Sequence, residues 1–244
     1  MSLLLFTDEE RALVDDLSQA AVDLWSASKR LEVLNTDPRA VSLMLYSRLW
    51  SNHRSFLILW KSEMMLEASI ILRSALEASI CLAANHVLRE DFYKLLLGDL
   101  VATLKSQIKR WRENGFQDLV VDGEKQLRAL ANRVIEKPRA FNWKELADIS
   151  GQQQLYGYHK QLSMVSSHVT GLSLMRHVGG TDEVDEHFHG QLRELHVPMH
   201  IRQMMIALLI GAKFHAAMIE TPDSIAMFAA LEKRLEKVSN GWVE

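Results

Sequence analysis

Ser62 to Arg89 reads SEMMLEASIILRSALEASICLAANHVLR, a run without glycine or proline in which nearly every residue is apolar or small. At about 100° per residue, Glu63, Glu67, Arg73, Ser74, Glu77, Cys81 and Asn85 share one stripe, while Met65, Leu66, Ile71, Leu72, Leu76, Ile80 and Leu82 cover the remainder. A helix apolar on most of its circumference needs neighbours on several sides. The stretch therefore predicts the buried centre of a helical bundle. Its polar stripe is either a narrow window to solvent or a line of charges inside the bundle, and the second case demands pairing because an isolated buried charge is strongly destabilising. Arg73 and Glu77, one turn apart, can pair with each other.

Working outward, 48% hydrophobic and 24% charged residues in a chain of 244 suffice for a large core. Many Met, Leu and Ala against sparse Val, Thr and Tyr favour helices over strands. No run with period 2 is long enough for a sheet. The expected fold is all-α: a single up-and-down bundle of seven to nine helices around the central one, with residues 1–244 as one domain.

Start and stop signals place the helices. Thr7 and Glu10 form a capping box for a first helix to about Asn35, and Pro38 opens a second that runs to Trp60. Lys61-Ser62-Glu63 marks the next boundary, with Ser62 as cap of the central helix. Glu90-Asp91 opens a fourth helix, ended by Asn114-Gly115. Asp122-Gly123 begins a fifth, Asn142 to Glu145 caps a short one ending at Ser150-Gly151, and Gln152 to Thr170 forms a longer one. Thr181 to Gly190 is expected as an exposed acidic loop or a single turn. Pro198 starts or kinks an apolar helix, and Thr221-Pro222-Asp223 opens the last.

A formal charge of −3 gives no general attraction to nucleic acid or anionic lipid. Lys105 to Lys144, however, holds ten basic against five acidic residues, so contact with nucleic acid through this stretch stays open. One cysteine, Cys81, fits a reducing compartment. The N-terminus lacks the basic start of a signal peptide, and charges interrupt every long apolar run. A cytoplasmic protein without membrane contact is expected.

Three constellations bear on chemistry. Eight of ten histidines lie between His159 and His215. Glu186, His187 and His189 include an E-x-x-H, half of the paired motif of a di-iron bundle, and His196 and His200 are one turn apart. The second half of such a site is missing, so these residues read as surface or capping groups, no cofactor is called for, and a metal-dependent enzyme is an alternative. Arg48 to His53 is an R-x4-H that resembles the signature of HEPN-type ribonucleases, although Leu49 stands where that family usually has a polar residue. A ribonuclease or nucleotide-acting enzyme is thus a further alternative.

The third constellation is Leu72-Arg-Ser-Ala-Leu-Glu-Ala78 followed by Tyr158 to His168, with Leu162 and Ser163 between them. This pattern, over roughly Val41 to Thr170, resembles a family of bacterial all-helical proteins catalogued as domain of unknown function 5677. The resemblance brings no known activity. It implies that Arg73, Glu77, Tyr158, Ser163 and His168 converge, with Arg73, Glu77, Tyr158 and His168 as candidate binding residues. Helical periodicity puts Tyr158, Gln161, Val165 and His168 on one face, and His159, Ser163 and Ser166 on another. Since no nucleophile with its base can be named, the preferred function is a non-catalytic interaction or small-ligand-sensing module. Its partner is a protein or small molecule, and homo-oligomerisation stays open.

Overall fold

Thr7 Oγ1 accepts the Glu10 N–H at 3.1 Å while the Glu10 carboxylate accepts the Thr7 N–H at 2.9 Å. This reciprocal cap opens α1 (Asp8–Ser28). The structure is a computed structural model that describes residues 7–31, 36–131, 137–166 and 183–239, with backbone only for 131, 164–166 and 183–198. Among the described residues there are nine helices and no strand. After α1 come α2 (Pro38–Lys61), α3 (Met65–Leu88), α4 (Glu90–Glu113), α5 (Gln117–Ala131), α6 (Trp143–Ser150), α7 (Gln153–Ser166), α8 (Glu183–Met218) and α9 (Pro222–Ser239). No helix among them is long and apolar enough to cross a membrane.

The central helix of the bundle is α3, which packs against α2, α4, α6, α7 and α8. Leu72, Leu76, Ile80 and Leu82 are buried, and from Ala78 to Asn85 every side chain is buried. Each such aliphatic group contributes roughly 1.5–3 kcal/mol of burial free energy. Helix α8 approaches α3 closely because the facing residues are small. The Ser79 hydroxyl donates to the Ala207 carbonyl at 2.7 Å, and a Cβ on Gly211 would lie 2.3 Å from Leu49 Cδ2.

Four boundaries differ from expectation. Helix α1 ends at Ser28 rather than near Asn35. Ser62 closes α2 instead of capping α3. The Glu63 N–H reaches the Trp60 carbonyl and the Met64 N–H the Leu59 carbonyl, with Glu63 at φ 60°, so the last carbonyls of α2 are satisfied by a turn. Helix α5 starts at Gln117, and Gly123, expected near its start, lies inside it. A Cβ there would meet Ile108 at 2.8 Å and Trp111 at 2.9 Å, so this glycine serves close packing on α4. Finally, the acidic stretch is helical from Glu183 and α8 continues through Pro198. Glu, Gln, Leu and Arg are good helix formers, and one interior glycine costs only about 1 kcal/mol.

Four histidines are buried, His53, His159, His200 and His215, of which His200 was expected as a surface or capping group. His215 sits between Ser28 and Ser42, with Oγ to Nε2 and Oγ to Nδ1 distances of 2.8 Å each, and stacks on Tyr46. The Ser28 hydroxyl already donates to the Leu24 carbonyl at 2.7 Å, so His215 Nε2–H donates to Ser28 and Nδ1 accepts from Ser42. Burial lowers the His215 pKa to about 3 and keeps it neutral. It is a fully satisfied pin joining α1, α2 and α8. His53 is held on one side only, its Nε2 2.9 Å from the Ser18 hydroxyl and its Nδ1 buried without a hydrogen-bond partner, and burial lowers its pKa to about 4.

Candidate functional site

On α3, Arg73, Ser74 and Glu77 face a gap between α2 and α7 and keep partial access to water. The polar stripe is therefore a window along these residues, while Cys81 and Asn85 continue it into the core. Arg73 Nη2 lies 3.3 Å from Glu77 Oε1, with side chains 32% and 26% exposed. This pair is semi-buried, so its desolvation cost is well below that of a fully buried one.

From α7, His159 projects onto the pair. Its Nε2 is 3.0 Å from Glu77 Oε1 and 3.3 Å from Arg73 Nε. One nitrogen cannot donate to the carboxylate and accept from the guanidinium at once. The shorter contact to an anion favours Nε2–H donating to Glu77. Nδ1 is then the acceptor, and it is buried without a hydrogen-bond partner. The alternative tautomer would bury an N–H donor there and set a lone pair against Glu77. Trp143 and Tyr156 hold the ring, with centroids 5.7 and 6.1 Å from it.

The other wall belongs to α2. Ser74 Oγ accepts from Asn52 Nδ2 at 3.1 Å and lies 3.3 Å from Arg48 Nη2. Arg48 is exposed and has no carboxylate partner among the described residues. Among the described residues the window therefore carries two guanidinium groups, of Arg48 and Arg73, against the carboxylate of Glu77.

Of the residues singled out from sequence, Arg73 and Glu77 come together. Tyr158 is half-buried on α7, its hydroxyl accepting from Gln154 at 2.8 Å on the same helix, and Ser163 donates to the His159 carbonyl at 2.7 Å. His168 lies outside the described residues. His159, one position after Tyr158 and thus about 100° round the helix, is the imidazole that meets the pair. The signal for it was present: Leu155, His159 and Leu162 share an apolar face, and a histidine on such a face is directed inward.

Arg48 and His53 do not form a joint site. His53 is 2% exposed and bonded to Ser18 on α1, whereas Arg48 turns toward Ser74 on α3. Glu186, His187 and His189 lie in the part of α8 described by backbone alone. In the Lys105 to Lys144 stretch, Lys109, Arg112, Arg128, Arg139 and Lys144 each pair with a carboxylate, which reduces the field available to a phosphate backbone.

The model of a family described as a family of unknown function (DUF5677) matches residues 39–187. No curated protein and no solved structure matches the chain.

Proposed function

Because this chain belongs to the family of unknown function DUF5677, we propose its role from geometry: a non-catalytic module that binds a small anion in the window between α2 and α7. The observation that carries the reading is the charge arrangement. Among the described residues, Arg73 pairs with the Glu77 carboxylate, which His159 also engages, while Arg48 reaches Ser74 on the same face of α3 with no carboxylate of its own. A guanidinium at a water-filled rim matches carboxylate or phosphate oxygens in a bidentate fork. His159 acts as a positioning residue, fixing Glu77 and through it the Arg73 side chain. Tyr158 and His168 remain candidates for the edge of the same site. The single cysteine, Cys81, supports a reducing, cytoplasmic setting.

Thermal denaturation with phosphate, acetate or citrate at constant ionic strength tests the proposal. A ligand at about 100 times its Kd adds roughly 2.7 kcal/mol, or about 5 to 10 °C in Tm for a chain of this size. The shift should disappear in Arg48→Met, which alters an exposed side chain, and in Arg73→Met/Glu77→Leu, which removes both partners of the pair together. No shift with any of the three anions, or equal shifts in the variants, would overturn the assignment and leave the triad as a lock on helix register.

A further inference from the structure

A separate concavity lies at the C-terminal end of α3. Between α8 and α9, over the last turn of α3, is a half-open cavity of about 360 Å³. That is at the lower end of the range of small-molecule sites. His86, in its wall, is nine residues beyond Glu77, about 13 Å along the helix axis. The two sites are separate.

Three features define what the cavity can hold. Its walls are mostly aliphatic or aromatic: Ile210, Phe214 and Ala217 from one stripe of α8, and Ile225 and Ala229 from one stripe of α9. Its fixed charges cancel, because Lys213 and Glu232, both in its lining, are bonded to each other as an ion pair. An ion of either sign would have to compete with that pair and give up its own hydration. Burial and the nearby Arg89 both lower the His86 pKa and so disfavour its charged form.

The His86 ring, whose Nδ1 is sealed away from the cavity, lies 5.4 Å from Phe214 at 50°. Together the two rings form a corner. Gln152, at the joint between α6 and α7, donates through Nε2 to the Ser150 carbonyl at 3.2 Å, which leaves its amide oxygen as an acceptor. An apolar pocket with a few convergent polar atoms selects a ligand by shape and by one or two hydrogen bonds.

We infer that this cavity binds a small uncharged heteroaromatic molecule, its flat face in the corner made by Phe214 and His86 and its polar edge toward Gln152. The preference for an uncharged ring follows from the Lys213–Glu232 pair. The preference for aromaticity follows from the two rings, which favour offset or edge-on contacts with a third.

Titration calorimetry with indole tests the inference, with benzoate and benzylamine as charged comparators of similar width. Indole should bind at least about tenfold more tightly than either, the equivalent of one good contact. Ala229→Trp and Ile225→Trp each place a large side chain at an exposed position of the cavity wall. Either should weaken indole about tenfold or more while the urea midpoint stays that of the parent. His86→Phe keeps the stacking surface and removes the ring nitrogens. It should leave the indole affinity within about threefold of the parent, and a loss of about tenfold or more would overturn the placement of the ligand's face against this ring. Absence of indole binding, indole binding indifferent to both tryptophan variants, or tighter binding of benzoate or benzylamine would overturn the inference. Phosphate should leave the indole titration unchanged, so this result and that for the window between α2 and α7 fail or succeed independently.

Discussion

Gly211→Ala adds one methyl group where α2, α3 and α8 meet. The new Cβ would lie 2.3 Å from Leu49 Cδ2 and 3.1 Å from both Leu82 Cδ1 and Ser79 Oγ. A leucine terminus at the surface could swing aside, but Leu49 and Leu82 are 0% and 1% exposed and have nowhere to go. Overpacking of this kind costs about 1–3 kcal/mol. Helix propensity opposes it, since alanine is better than glycine by about 1 kcal/mol. The net expectation is a loss of about 0–2 kcal/mol, read from urea midpoints.

The source of that loss is separable. Leu49→Ala alone should cost about 2–5 kcal/mol, and in that background the space vacated by Leu49 Cδ2 admits the Gly211 methyl. The double variant should then be more stable than the sum of the singles by roughly 1–2 kcal/mol. Strict additivity, or a Gly211→Ala protein more stable than the parent, would refute the close approach of α8 to α2 and α3.

Two further predictions concern charge and backbone. His53 and His215 have folded pKa values of about 4 and 3, below the unfolded value of about 6.5. The unfolded chain therefore binds more protons as pH falls, and stability that is complete above about pH 6.5 is lost toward pH 3. Between pH 7 and pH 5 each histidine should remove about 2 kcal/mol. Urea denaturation at the two values decides, and a combined loss under about 1 kcal/mol would place both rings in contact with water. Arg89 closes α3 and opens α4 with φ 54° and ψ −122°, a conformation that costs a non-glycine residue about 1–3 kcal/mol. Arg89→Gly should leave stability unchanged or raise it by about 1 kcal/mol in spite of the lost contact with Met218, and a loss above about 1 kcal/mol would show that the guanidinium, not the backbone, governs the corner.

The central helix was legible because its pattern is local: a long run of apolar and small residues without a breaker permits little else than a buried helix. Capping side chains such as Thr7 and Asn142 were legible for the same reason, since each bonds to an amide within three residues. What escaped depends on neighbours distant in sequence. Gly123 reads as a helix start until Ile108 and Trp111 are seen beside it. Arg73 and Glu77 could be paired from spacing, but which imidazole joins them depends on the azimuth of α7, and one residue separates Tyr158 from His159. Periodicity set those two on different faces without saying which face meets α3. The serine cradles of His53 and His215 span 35 to 187 residues of sequence, beyond any local pattern.

The distal part of α4 and α5 has a core of its own, made of Leu104, Ile108 and Val120 with Trp111, Leu127 and Leu130 against it. Among the helices, α5 packs on α4, so little of its free energy derives from the main core. Three buried aliphatic side chains supply only about 5–9 kcal/mol gross, most of it offset by the entropy of ordering the hairpin. Such an arrangement makes the hairpin a separate cooperative unit. Its amides should exchange with solvent through a partial opening that leaves the amides of α3 protected, and a single melting temperature would then describe only the larger of two unfolding events.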